Sequence, residues 1–221
     1  MKTKEIKQYL EKYLLPFFEQ HGFVLSELND LGYEVIKKDN DVLFSCPCSK
    51  LRSRKGIVFE AFANYISYEK IENTLKDILL KYELEDSSYT LRNYDNEGTK
   101  AHRRQVKAVE IATEADFTQY ADAVKRYCND IVFPFFDKYS SLKALNELIK
   151  EIPEEDLTDH IGGKFMFKKM IVLKWCGDPE YDNYAEYVRQ RYESIKDLED
   201  GKYIPLLKAY YELAERLKKG S

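Results

Sequence analysis

A sixteen-residue stretch occurs twice in this chain, about half a chain apart. Residues 6–21 read IKQYLEKYLLPFFEQH and residues 124–139 read VKRYCNDIVFPFFDKY. The pair matches Lys7 with Lys125, Tyr9 with Tyr127, Pro16 with Pro134, Phe17 with Phe135 and Phe18 with Phe136. Glu19 and Asp137 keep the same charge, and most other positions keep their apolar or polar character. Apolar residues recur at helical spacing in both, so each predicts an amphipathic helix with a proline inside it. Proline removes a backbone donor and crowds the carbonyl four residues earlier, so each helix should kink. One such helix would then open or hinge each half of the chain. The repeat carries architecture, not chemistry.

The remaining composition narrows the class. With 44% hydrophobic and 33% charged residues, the chain has the balance of an ordinary globular protein rather than a disordered tail. Its 221 residues suffice for one large domain or two intimate lobes. The 18 Tyr and 12 Phe supply amphipathic area that suits partner surfaces, although most such rings edge a core. A net charge of −4 argues against a dedicated nucleic-acid binder. The opening MKTKEIKQYLEKYLLPFF lacks the apolar core of a signal peptide, and no run reaches the ~18 apolar residues of a membrane span. A cytoplasmic setting without membrane contact is the expectation.

Cys46 and Cys48 form a Cys-Pro-Cys inside an apparent strand, with Cys128 and Cys176 remote in sequence. Zinc sites space their cysteines more widely and need a second ligand pair, which His21, His102 and His160 do not supply nearby. Reduced structural thiols are therefore expected, with no metal and no cofactor.

Along the chain, a first helix should span about 3–20 and stop at Gly22, which can take the left-handed conformation. Strands are predicted at 33–38 and 42–46 around an Asp39-Asn40-Asp41 turn, then at 57–65, 89–94 and 105–112. Ser67 would cap a helix over 68–82 inserted among them. From Thr113 onward the pattern is helical: a long helix, then 142–149, 165–175, one after Asp178-Pro179, and 204–217. The expected class is α+β, with residues 1–112 a helix and antiparallel meander and 113–221 an all-helical part, or both as one continuous domain.

Three stretches carry a family resemblance. LLPFFEQHGF (14–23) leads into the meander, IVFPFFDKYSSLKAL (131–145) is a later Pro-Phe-Phe helix, and LKWCGDPEY (173–181) is a helical tail with a Gly-Asp turn. Together they resemble an uncharacterised bacterial family known only as a domain of unknown function. The resemblance implies the α+β fold and no functional residue.

No G-x-S-x-G, P-loop or H-E-x-x-H occurs in the chain. The one constellation worth placing is basic. Arg52, Arg54 and Lys55 on one loop could meet His102, Arg103 and Arg104 on another, and arginine forks suit anions. The plainer account is two solvated loops balanced by carboxylates elsewhere. The acidic runs at Glu83–Asp86 and Glu151–Asp159 read as solvated surface. The leading expectation is a binding or interaction module with a protein partner and no chemistry of its own. The alternatives are an enzyme with scattered active-site residues, or a phosphate or nucleic-acid binder using the two basic loops.

Overall fold

Pro16 and Pro134 each break a helix, but in different ways. In the computed structural model the first repeat forms α1 (Thr3–Tyr13) and α2 (Leu15–Gln20), parted at Leu14. Without an N–H at Pro16, the carbonyl of Lys12 loses its helical partner, and the axis turns there. Gly22 ends α2 with φ +79°, the left-handed cap the sequence requires. The second repeat runs through α5 (Glu114–Tyr127) and α6 (Phe133–Lys138), joined by a π-turn at Cys128–Val132 just ahead of Pro134.

The structure describes residues 3–60, 62–87, 89–93 and 97–220. It has the expected α+β character. The chain divides into two compact units, Met1–Ile66 with Arg92–Lys138, and Ser67–Leu91 with Tyr139–Ser221. The two units are interleaved along the sequence, and residues 6–21 and 124–138 of the repeat fall in the first.

In that first unit, strands β1 (Val24–Asn29), β2 (Gly32–Asp39), β3 (Val42–Arg52) and β4 (Ile57–Phe59) form an antiparallel ladder. Val35 pairs with Cys46 and Tyr33 with Cys48, and all four are buried on one face of the hairpin. Because side chains alternate along a strand, Cys46 and Cys48 both point inward as free thiols while Pro47 between them does not. β5 (Tyr65–Tyr68) and β6 (Leu91–Arg92) are short, and each contains a point where the chain passes between units.

Three expected strands are corrected here. Residues 105–112 mostly belong to α4 (Glu97–Lys107), which leaves only β7 (Glu110–Ile111) to pair with β4. The stretch 57–65 is divided between β4 and β5, and of 89–94 only Leu91 and Arg92 are strand. Positions 61 and 94, which these expectations touched, lie outside the described residues. β4 and β7 approach closely at Gly56, where a Cβ would stand 2.1 Å from the Ile111 carbonyl oxygen.

The second unit is helical: α3 (Glu69–Lys81), α7 (Leu142–Glu151), α8 (Leu157–His160), α9 (Phe165–Trp175), α10 (Tyr181–Ile195) and α11 (Ile204–Lys218). Tyr68, not Ser67, occupies the cap position of α3. α9 is apolar on almost every side and touches α3, α7, α10 and α11, so it forms the centre of this unit. Its Lys168 is 1% exposed, and its ammonium donates to Glu72 (2.9 Å) and to the carbonyls of Ser87 (3.2 Å) and Tyr89 (2.7 Å). A buried charge so completely paired is a structural tie.

Candidate functional site

The six basic residues singled out in the sequence do not act as one group. Arg52 closes β3 opposite Ile57, and Arg54 and Lys55 lie in the turn between β3 and β4. That turn is organised around a carboxylate. Glu110 accepts the Ser53 hydroxyl and the Lys55 backbone N–H (3.0 Å), and these bonds, Ser53 first, hold its carboxyl below the ordinary value. His102, Arg103 and Arg104 are on α4 rather than on a loop, and successive helical residues point about 100° apart. His102 turns to Asp130 (Nε2 to Oδ2, 3.1 Å) and to the Gly98 carbonyl (Nδ1, 3.0 Å), while Arg104 is exposed. Arg103 lines a cavity.

That cavity, about 230 Å³ and wholly within the first unit, is walled by Phe62, Asn64, Tyr65, Arg92, Asn93 and Arg103, with Ala63 at its edge. The end of β4 leads to Phe62 and Asn64, the residues after β6 supply Asn93, and α4 brings Arg103. The Asn93 N–H donates to the Asn64 carbonyl at 3.0 Å, which fixes the two asparagines side by side. Tyr127, at the end of α5 and fully buried, lies behind Asn64 and accepts its Nδ2–H at 2.7 Å. The Tyr127 hydroxyl in turn donates to the Phe62 carbonyl at 3.4 Å. Burial pushes the Tyr127 phenol well up, opposed by the Asn64 amide and by the Arg103 guanidinium.

Two atoms in this arrangement are unspent. Asn64 is 4% exposed, and its Oδ1 has no hydrogen-bond partner among the described residues; the same holds for buried Asn93 Nδ2. A buried polar atom left unpaired costs about 1–3 kcal/mol.

In two other places the polar side chains are already paired with one another. A larger cleft in the second unit, about 420 Å³, is lined by Ile149, Leu173, Lys169, Tyr184 and Tyr187 among others. There Glu154 already takes both the Lys169 ammonium (2.7 Å) and the Tyr184 hydroxyl (2.7 Å). In the first unit, Tyr33 and Tyr120 share a 2.5 Å hydrogen bond and Cys48 lies 3.5 Å from the Tyr120 hydroxyl. Burial pushes the Cys48 thiol up to about 12, so it carries almost no nucleophilic thiolate at neutral pH. Among the described residues no group of three His, Cys, Asp or Glu is placed to hold a metal ion.

Arg103 was legible in the sequence only as a cation, and Tyr127 only as a repeat position. Asn64 and Asn93 gave no signal, because a lone asparagine in a polar stretch looks like any turn residue. Compared with protein-family models, with curated proteins and with solved structures, the chain has no match.

Proposed function

We propose that this chain is a binding module whose first unit takes a small oxyanion in the cavity between Asn64, Asn93, Arg92 and Arg103. The observation that carries this reading is the convergence of Arg92 and Arg103 with Asn64 and Asn93 on one small cavity. Arginine forks and amide N–H groups both favour negatively charged oxygen. The volume of about 230 Å³ is below the roughly 300 Å³ where drug-sized ligand pockets begin, so it suits an ion or a very small molecule. Of the basic set, the proposal retains Arg103 and leaves Arg52, Arg54 and Lys55 to the turn they surround. We also propose a reducing, cytoplasmic setting, supported by four free cysteines of which three are buried. No described helix is long and apolar enough to cross a membrane.

Thermal melting with added anions tests the site. A ligand at a hundred times its Kd stabilises by about 2.7 kcal/mol, so millimolar inorganic phosphate should raise the melting temperature of the parent by several degrees. In Arg103→Met the rise should be absent or much smaller. If phosphate, sulfate, acetate and citrate all leave the parent's melting temperature unchanged, the cavity is not an anion site.

A further inference from the structure

We infer that the cleft of about 420 Å³ between α7, α9 and α10 is a further ligand site, which takes a small organic amine carried on an apolar, ring-sized body. The cleft belongs wholly to the second unit, so the inference stands apart from the anion cavity of the first.

The body of the ligand follows from the wall. Ile149 on α7 and Leu173 on α9 are each 1% exposed and form the floor, with Ile152, Tyr184 and Tyr187 beside them. The polar atoms that reach this wall already have partners. Glu154 takes the Lys169 ammonium on Oε2 and the Tyr184 hydroxyl on Oε1, both at 2.7 Å. The Tyr187 hydroxyl accepts from Arg191 at 3.3 Å. A polar body would give up its hydration for groups that are already paired, whereas an apolar body gains by leaving water. An apolar void of about 150 Å³ takes benzene. The larger volume here therefore has room for a ring with a short chain.

The charge of the ligand follows from the rim. Glu180, Asn183, Tyr184 and Tyr187 follow the i, i+3, i+4, i+7 spacing and so line the cleft along one face at the start of α10. Lys150 Nζ lies 3.1 Å from Asp178 Oδ2, and Glu147 and Glu180 bear on the same ammonium. Three carboxylates thus share one cation, and Asp182 in the first turn of α10 adds to their sign. The N-terminus of α10 opposes them with about half a unit charge, which leaves the rim negative. Lys169 does not change that balance, because Glu154 neutralises it. Glu180 itself has no cation within ion-pair distance among the described residues. An ammonium placed at Glu180 sets the ring of the ligand against Tyr184 and Tyr187, whose faces attract positive charge as well. The Lys169 ammonium, 4.4 Å from the centre of the Tyr184 ring, already uses that attraction.

The test is an NMR titration of the whole chain at pH 7 with 2-phenylethylamine, 2-phenylethanol and 3-phenylpropionate, which share a ring and differ in the head group. The amine should shift amides of α7, α9 and α10, with a dissociation constant at least about threefold below that of the alcohol, and the carboxylate should bind most weakly. Glu180→Gln should bring the amine to the alcohol's affinity and leave the alcohol unchanged. Since Glu180 is exposed, this variant does not put the fold at risk. Tyr187→Ala should weaken amine and alcohol alike. Equal affinity for amine and alcohol, or tighter binding of the carboxylate, overturns the choice of ligand. Shifts confined to other elements, or no binding of any of the three, overturn the site.

Discussion

Phe18 and Phe136 occupy equivalent places in the two copies of the repeat, and both are buried, at 0% and 3% exposure. Phe18 meets Phe62 edge-on at 5.9 Å, and Phe136 packs on Phe44 at 5.0 Å and on Phe23 at 5.9 Å. Their sequence neighbours Phe17 and Phe135 point elsewhere and are only half-buried, as two adjacent positions on a helix must. Phe17 is not idle, since it stacks on Phe133 at 5.7 Å and lies 4.8 Å from the His21 ring. Truncation of a fully buried phenylalanine loses both transfer energy and packing. Phe18→Ala and Phe136→Ala should each therefore cost about 3–5 kcal/mol, with Phe17→Ala and Phe135→Ala well below that. Urea denaturation of the four variants checks the ranking, and equal losses in all four would contradict it.

Among elements, the repeat has a hidden period. The positions Ile6, Leu10, Leu14 and Phe18 are buried, and so are their equivalents Val124, Cys128, Val132 and Phe136. All are spaced by four. An ideal helix turns 100° per residue, so a four-residue step overshoots a full turn by about 40°, and three steps drift by about 120°. A straight helix could not keep such a stripe against one core. The break at Leu14 in the first copy and the π-turn at Cys128–Val132 in the second both occur inside the stripe, where they can take up the drift. Proline supplies the cause in each, by leaving a carbonyl without its helical donor.

The start of α5 shows the complementary device. Thr113 Oγ1 accepts the Asp116 N–H at 3.3 Å, and Asp116 Oδ2 accepts the Thr113 N–H at 2.8 Å, a reciprocal capping box. The Ala112 N–H, then the Thr113 hydroxyl and N–H, donate to the Asp116 carboxyl and hold it below its ordinary value. Thr113→Ala should lower stability by about 1 kcal/mol, read as a lower urea midpoint at unchanged slope.

For the molecule as a whole, the two units should respond to opposite ends of the pH scale. In the second unit, Glu212 on α11 is held at about 2, below the ordinary 4.5, first by Lys81 and then by Arg216 and Tyr82. A carboxyl depressed in the folded state contributes stability that is whole above pH 4.5 and is lost as pH falls toward about 2. Glu212→Gln should thus lower the melting temperature at pH 7 and flatten its decline in acid. In the first unit the Cys48 thiol is raised by burial from 9.0 to about 12. Below pH 9.0 this shift carries no penalty, but between there and about 12 the unfolded chain releases a proton that the folded chain retains, so stability falls. Burial raises Tyr33 and Tyr120 in the same direction. Melting curves from pH 8 to 11 should decline, and more shallowly in Cys48→Ala; a decline as steep as the parent's would show that Cys48 is not responsible.

Local pattern was enough for the elements whose evidence is local. Apolar periodicity and punctuation placed the helix Phe165–Trp175, the hairpin around Asn40, the helix start after Thr113 and the stop at Gly22. The α+β class followed from the same signals, because a change from period two to period 3.6 is written in neighbouring residues. The expected strand at 105–112 failed because tertiary context left only two residues for β7 and wound the preceding ones into α4. The repeat was visible as a repeat. That both copies belong to the first unit, with Phe17 and Phe133 in contact, depends on segments more than a hundred residues apart and has no local trace. The candidate site is the extreme case. Asn64, Asn93, Arg103 and Tyr127 lie on separate segments, and what singles them out is convergence on one small cavity, with Tyr127 behind Asn64, which exists only once the chain has closed around them.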